Sequence, residues 1–212
     1  MLVHKGLAHL PFPALIWTSA VGLTIFVAMV ATQGIWVVDF DPARQQVSEY
    51  VHAGAGAVAV VAFLAWAVSL MALAGATLSS AGDDRLACLQ ASALLCAALG
   101  VILLACFPTD RGAEIPAAVT HATAAGRVHD LASALTTVSI LLAAITSAVR
   151  VRGSLGTLIL GLMVLALSSS VILLALGDPL PGIRQRALLG AGCIWQATWL
   201  WVCCRASSST LL

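Results

Sequence analysis

Carboxylates and imidazoles are the groups of this chain that could move a proton, and their placement is not random. Every carboxylate except Asp83 and Asp84, together with His52, His121 and His129, falls in or beside alternate gaps between long apolar runs. Gln45, Ser48, Glu49, His52 and Gly56 recur at spacings of three and four, which predicts a shared helical face. Phe107, Pro108, Thr109 and Asp110 end one apolar run, with proline as the breaker. A carboxylate at a helix C-terminus is disfavoured by the macrodipole, so Asp110 needs a compensating partner, and Arg111 and Arg127 are in reach. Gly126, Arg127, Val128, His129 and Asp130 open the next run. Arg127 and Asp130 are spaced to pair along the helix, while His129 faces the adjoining side, where Ser133 and Thr137 continue a polar line. Asp178, Pro179, Pro181, Gly182, Arg184 and Arg186 lead into the last run, with Gln185 and Gln196 on about one face of it. The two arginines there could snorkel to phosphates, pair with carboxylates or hold a lipid headgroup.

An imidazole beside carboxyl groups that burial can hold neutral is equipment for general acid–base chemistry. His129 is the candidate base, Glu49 or Asp110 the candidate acid, and Asp130 completes the catalytic set. Arg44, Ser48, Arg127 and Arg184 are the candidate substrate-binding groups. A zinc-dependent variant would recruit His52, His121 and His129 with Asp110 or Asp130. Its residue types resemble the membrane hydrolase superfamily that includes alkaline ceramidases, which carry serine and histidine four apart, as Ser48 and His52 are. They also carry a paired-histidine motif that this chain lacks, so no metal is assigned, and the sequence names no cofactor. Haem ligation would need histidines deep in facing runs, and His52 and His129 lie only at the mouths of theirs.

The elements that position these groups follow from composition. Of 212 residues, 61% are hydrophobic and 9% charged, whereas soluble domains carry about a quarter charged residues. Apolar runs at about residues 13–36, 51–78, 86–107, 128–150, 154–176 and 187–204 each suffice for a helix crossing a hydrocarbon core of roughly 30 Å. They lack the period-two alternation of barrel strands. The expected fold is therefore all-α, a polytopic membrane protein built as one six-transmembrane-helix bundle over residues 1–212. The first run, about 24 residues, exceeds the roughly 7–15 of a secretory signal core and reads as a retained anchor. Ser168, Ser169 and Ser170 interrupt the fifth run and read as hydroxyls bonding back to carbonyls one turn earlier. All six cysteines lie in the runs or at their ends, as small packing residues.

Six crossings put residues 40–50, 108–127 and 177–186 on one membrane face. Basic residues tie between the two faces, but Arg150 and Arg152 form a basic turn without carboxylates, which favours cytoplasmic termini and an extracytoplasmic polar face. Trp17 and Trp201 would mark the inner interface, Trp36 and Tyr50 the outer one. A net charge of +1 implies no nucleic-acid partner. Membrane lipid is the expected partner.

The ordered segments DPARQQVSEY, FPTD, GRVHD and GIRQR, the last leading into a tryptophan-bearing helix, resemble the bacterial and archaeal membrane family known as domain of unknown function 998. The resemblance runs from the end of the first helix to the last. It implies a six-helix fold in a prokaryotic plasma membrane, with Ser48, Glu49, Asp110, His129 and Asp130 at the family's polar positions, and it implies no reaction. His52 and His121 lie outside that pattern. Three functions stand open: a membrane enzyme acting on a lipid or isoprenoid, a non-catalytic binder or transporter of lipid or small solute, and a structural protein whose ion pairs lock its loops.

Overall fold

Helices begin where this chain places prolines and short capping side chains, and a computed structural model describes the result over residues 11–37, 41–52, 56–81, 84–110, 123–151, 154–177 and 180–209. Helix α1 (Phe12–Trp36) starts at Pro11 with a second proline in its first turn, where the missing amide costs nothing. Helix α2 spans Gly56–Ala81. Helix α3 (Arg85–Cys106) starts at Asp84, whose carboxylate accepts the Leu86 amide at 2.9 Å. Helix α4 (Ala124–Arg150) starts at Thr123, whose hydroxyl accepts the Gly126 amide at 3.0 Å. Each side chain satisfies an amide the helix itself leaves unpaired. Helix α5 (Ser154–Ala175) is followed by Gly177 at φ +85°, the left-handed conformation that ends helices. Helix α6 (Pro181–Ser209) again opens on proline.

The chain is an all-α polytopic membrane bundle. Helices α1 to α4 and α6 are long and apolar enough to cross a membrane, and α5 carries a shorter apolar stretch, Gly156–Ser170, among the described residues. Val21, Val61, Leu99, Val138 and Leu165 are exposed on the outer surface, as lipid-facing side chains must be. Ser169 and Ser170 do bond back, to the carbonyls of Leu165 and Ala166.

Packing is closest in the first four helices, where α2 lies against α1 and α3, and α3 against α4. Small residues permit it. A Cβ on Gly22 would collide with the Ala65 carbonyl oxygen of α2, and one on Gly100 with the Thr136 hydroxyl of α4. Contacts of α5 with α4 and α6 are thinner, while α6 returns to α1 and α2. Helix α6 is stitched to its neighbours by hydrogen bonds as well. Trp195 donates to Ser147, Trp199 to Thr77, and Trp66 of α2 to Gln196, whose amide in turn donates to Ser69 at 2.7 Å. Without water to compete, such buried donors need protein acceptors.

Two expectations change. Residues 47–52 do not continue into the second helix: Val47–His52 is a 3-10 turn, and the α-helix begins at Gly56. The Glu49 amide bonds the Gln46 carbonyl three residues back, at 3.1 Å, and Glu49 Oε1 accepts the Gln46 amide at 3.0 Å, closing a tight reciprocal turn. Tyr50 is not in an interfacial belt either. It is 3% exposed, because that turn is pressed into the end of the bundle. The Trp36 side chain, Arg111 and His121 lie outside the described residues.

Candidate functional site

The loop from α1 to α2 is held down by α6. Arg186 donates to the carbonyls of Pro42, Gln45 and Gly182 and to Gln33 Oε1 of α1. Gln185 accepts the Val47 amide at 2.6 Å, and the Ile183 amide bonds the Ala43 carbonyl. A guanidinium with five donors suits this task. Burial pushes the Tyr50 phenol above its ordinary pKa, partly opposed by the Arg186 guanidinium, so the phenol is neutral at physiological pH.

The C-terminal end of α3 receives two imidazoles. His129 Nδ1 lies 2.8 Å from the Phe107 carbonyl oxygen, and His52 Nε2 lies 2.6 Å from that of Thr109. A carbonyl only accepts, so each of these ring nitrogens carries a proton. In the neutral ring of His129 this leaves Nε2 as the basic atom. The 3-10 turn before α2 and the start of α4 thus meet through the end of α3.

Asp110 finds its compensation in an unexpected place. Its carboxylate accepts the Thr123 amide at 2.9 Å and the Thr123 hydroxyl at 2.6 Å, and it crowds Gly126 so closely that a Cβ there could not fit. The positive end of the α4 dipole balances it.

Beneath the 3-10 turn lies a cavity of about 300 Å³ between α2, α4, α5 and α6. Ser48, His129, Asp130 and Arg184 line it, with Gln46, Gln185, Ser133, Thr136 and Thr137. Its remaining wall is apolar, formed by residues such as Phe63, Trp66, Leu104, Met163, Leu189 and Gly192. The steps from His129 to Ser133, Thr136 and Ile140 are four, three and four residues, one face of α4. Leu188, Leu189 and Gly192 repeat the pattern on α6. Ser48 is 2% exposed, and its hydroxyl makes no hydrogen bond among the described residues. His129 is 3% exposed.

The other candidates lie elsewhere. Glu49 is occupied by the Gln46 amide and Asp110 by Thr123, and neither lines the cavity. Arg44 is exposed and sits 3.7 Å from Asp41. Arg127 is exposed, and no ion pair joins it to Asp130 among the described residues. Among the described residues no group of three or more His, Cys, Asp or Glu side chains could hold a metal ion. The apolar wall contributed by α5 was not foreseen, because nothing in a uniformly apolar helix marks its inward face.

Residues 20–202 match the family described as "Protein of unknown function (DUF998)". No curated protein and no solved structure matches the chain.

Proposed function

The chain belongs to the DUF998 family, whose description assigns no reaction, and from its own geometry we propose that it is a membrane enzyme acting by acid–base chemistry on the polar head of a lipid. The observation that carries this reading is His129. Its Nδ1 proton is committed to Phe107, and its ring lines a cavity that is polar at one end and apolar at the other. A lipid entering with its chain against Phe63 and Leu104 would bring its head to the imidazole. His129 Nε2 then serves as general base. Asp130, on the rim and exposed, exchanges the proton with solvent. Arg184 and Ser48 position the head. Arg44 and Arg127, both exposed, attract it from the membrane surface. On this reading the loop-bearing face is extracytoplasmic, in a prokaryotic plasma membrane.

Replacing His129 by alanine removes the base. The variant should stay folded in detergent while turnover of the processed lipid falls roughly a hundredfold or more, read from the lipid profile of expressing membranes against the parent. A folded His129→Ala protein with an unchanged profile would overturn the enzyme reading. The structural alternative is favoured by the bonds that tie three segments at this end, Arg186 to residues 42–45, His52 to Thr109 and Asp110 to Thr123. It would then stand.

A further inference from the structure

We infer that the cavity takes a lipid with a single hydrocarbon chain and a compact head that both donates and accepts hydrogen bonds, the chemistry of a monoacylglycerol. The inference rests on the site proposed above and names its ligand class.

Size limits the number of chains. At about 300 Å³ the cavity lies at the lower end of ligand sites, roughly 300–1,000 Å³. One chain fits; the second chain of a diacyl lipid has to remain outside. The slot also has room where a side chain could stand. A Cβ on Gly192 would meet nothing nearer than Ile140 Cγ2 at 3.7 Å, an ordinary contact. Glycine in the middle of a helix otherwise weakens it, and here it leaves the slot open.

The head is specified by what the protein leaves unanswered. Ser48 presents a buried hydroxyl with no hydrogen bond among the described residues. Such a group is costly unless a ligand or water completes it. His129 Nε2, the atom opposite the Phe107 bond, can only accept while the ring is neutral. A ligand satisfying both brings one O–H for His129 and one oxygen for Ser48. A hydroxyl next to an ester supplies both; a trimethylammonium head supplies no donor.

The test is retention of added lipid by the purified full chain, followed by native mass spectrometry. The probes are monooleoylglycerol, dioleoylglycerol and oleylphosphocholine, a single-chain phosphocholine without a hydroxyl. Monooleoylglycerol should bind the parent and Gly192→Ala alike. Gly192→Leu, which fills the slot, should weaken it at least about tenfold, and Leu189→Trp, filling the same slot from the preceding turn, serves if Gly192→Leu does not fold. Ser48→Ala should weaken binding roughly two- to tenfold, the worth of one hydrogen bond. Retention of none of the three lipids, or equal retention by the filled and open slots, overturns the inference. Equal binding of dioleoylglycerol overturns the single chain, and equal binding of oleylphosphocholine, which brings no donor to His129, overturns the head. Binding is read without turnover. A parent that retains monooleoylglycerol while His129→Ala leaves membrane lipids unchanged would therefore refute the acid–base reading and leave the ligand class intact.

Discussion

The two ends of the bundle use the same kinds of side chain to different effect. At the end away from the cavity, Arg150 of α4 donates from Nε to Asp84 at 2.9 Å and from a terminal nitrogen to Gln90 at 2.8 Å. It also lies over the Trp199 ring of α6, 5.1 Å from its centroid, and that indole donates to Thr77 of α2. One cation thereby ties three helices directly and α2 through Trp199, and its side chain is only 15% exposed. At the loop-bearing end an imidazole, a hydroxyl and a carboxylate surround space instead of each other. Polarity in a membrane helix is therefore not in itself a sign of chemistry. Gln90 sharpens the point, since its Nε2 is buried with no hydrogen bond among the described residues, yet it borders a filled knot and not the cavity. What distinguishes a site is unanswered polar atoms facing room for a ligand.

The largest effect is expected at the knot. Arg150→Ala leaves Asp84 and Gln90 without their partner, and breaking a buried pair costs about 3–5 kcal/mol. Asp84 is 39% exposed, so water recovers part of this, and a loss of about 2 kcal/mol is expected. Thermal unfolding in detergent should show it, with the lipid profile of surviving protein unchanged. An Arg150→Ala protein of undiminished stability but altered lipid profile would reverse the assignment of the two ends.

Asp110 should give an intermediate effect, and its outcome separates a cap from a catalyst. Losing the bonds to Thr123 at the start of α4 should cost about 1–2 kcal/mol in Asp110→Ala. Asp110→Asn retains one acceptor and should cost about half of that while leaving lipid processing intact. Loss of processing in a stable Asp110→Asn protein would put Asp110 back among the catalytic groups.

Asp110 also shows what could be read in advance. A carboxylate at the end of α3 plainly required a partner, but the partner lies 13 residues on, across a segment without periodicity. The all-α membrane fold was legible because bilayer thickness imposes a minimum length on every apolar run. The four ordered motifs were sufficient for the family. On α4 the spacing of His129, Ser133 and Thr137 revealed the cavity face, since polar residues stand out in an apolar helix. The opposite wall, Met163 and Leu189, carried no such contrast: in lipid both inward and outward faces are apolar. Burial of Tyr50 was hidden for a related reason, because it depends on Arg186, Gln185 and Ile183 pulling the 41–47 loop onto α6. Those bonds are made largely to backbone atoms, which leave no mark on sequence.

The smallest stability effect should come from Ser48, and it is the most discriminating. Its hydroxyl is buried and makes no hydrogen bond among the described residues, so Ser48→Ala removes a desolvated polar group without orphaning another. Stability should change by less than about 0.5 kcal/mol, with a slight gain the expected sign. Arg150→Ala lies at the other extreme, large in folding and silent in function. Ser48→Ala should instead be silent in folding while lipid processing falls, because the head loses a contact beside His129. Measuring both quantities on both variants in the same detergent places each end of the bundle on one plot. If Ser48→Ala lowered the unfolding temperature as far as Arg150→Ala, the hydroxyl would belong to a structural lock, and the contrast between a filled end and an open one would fail.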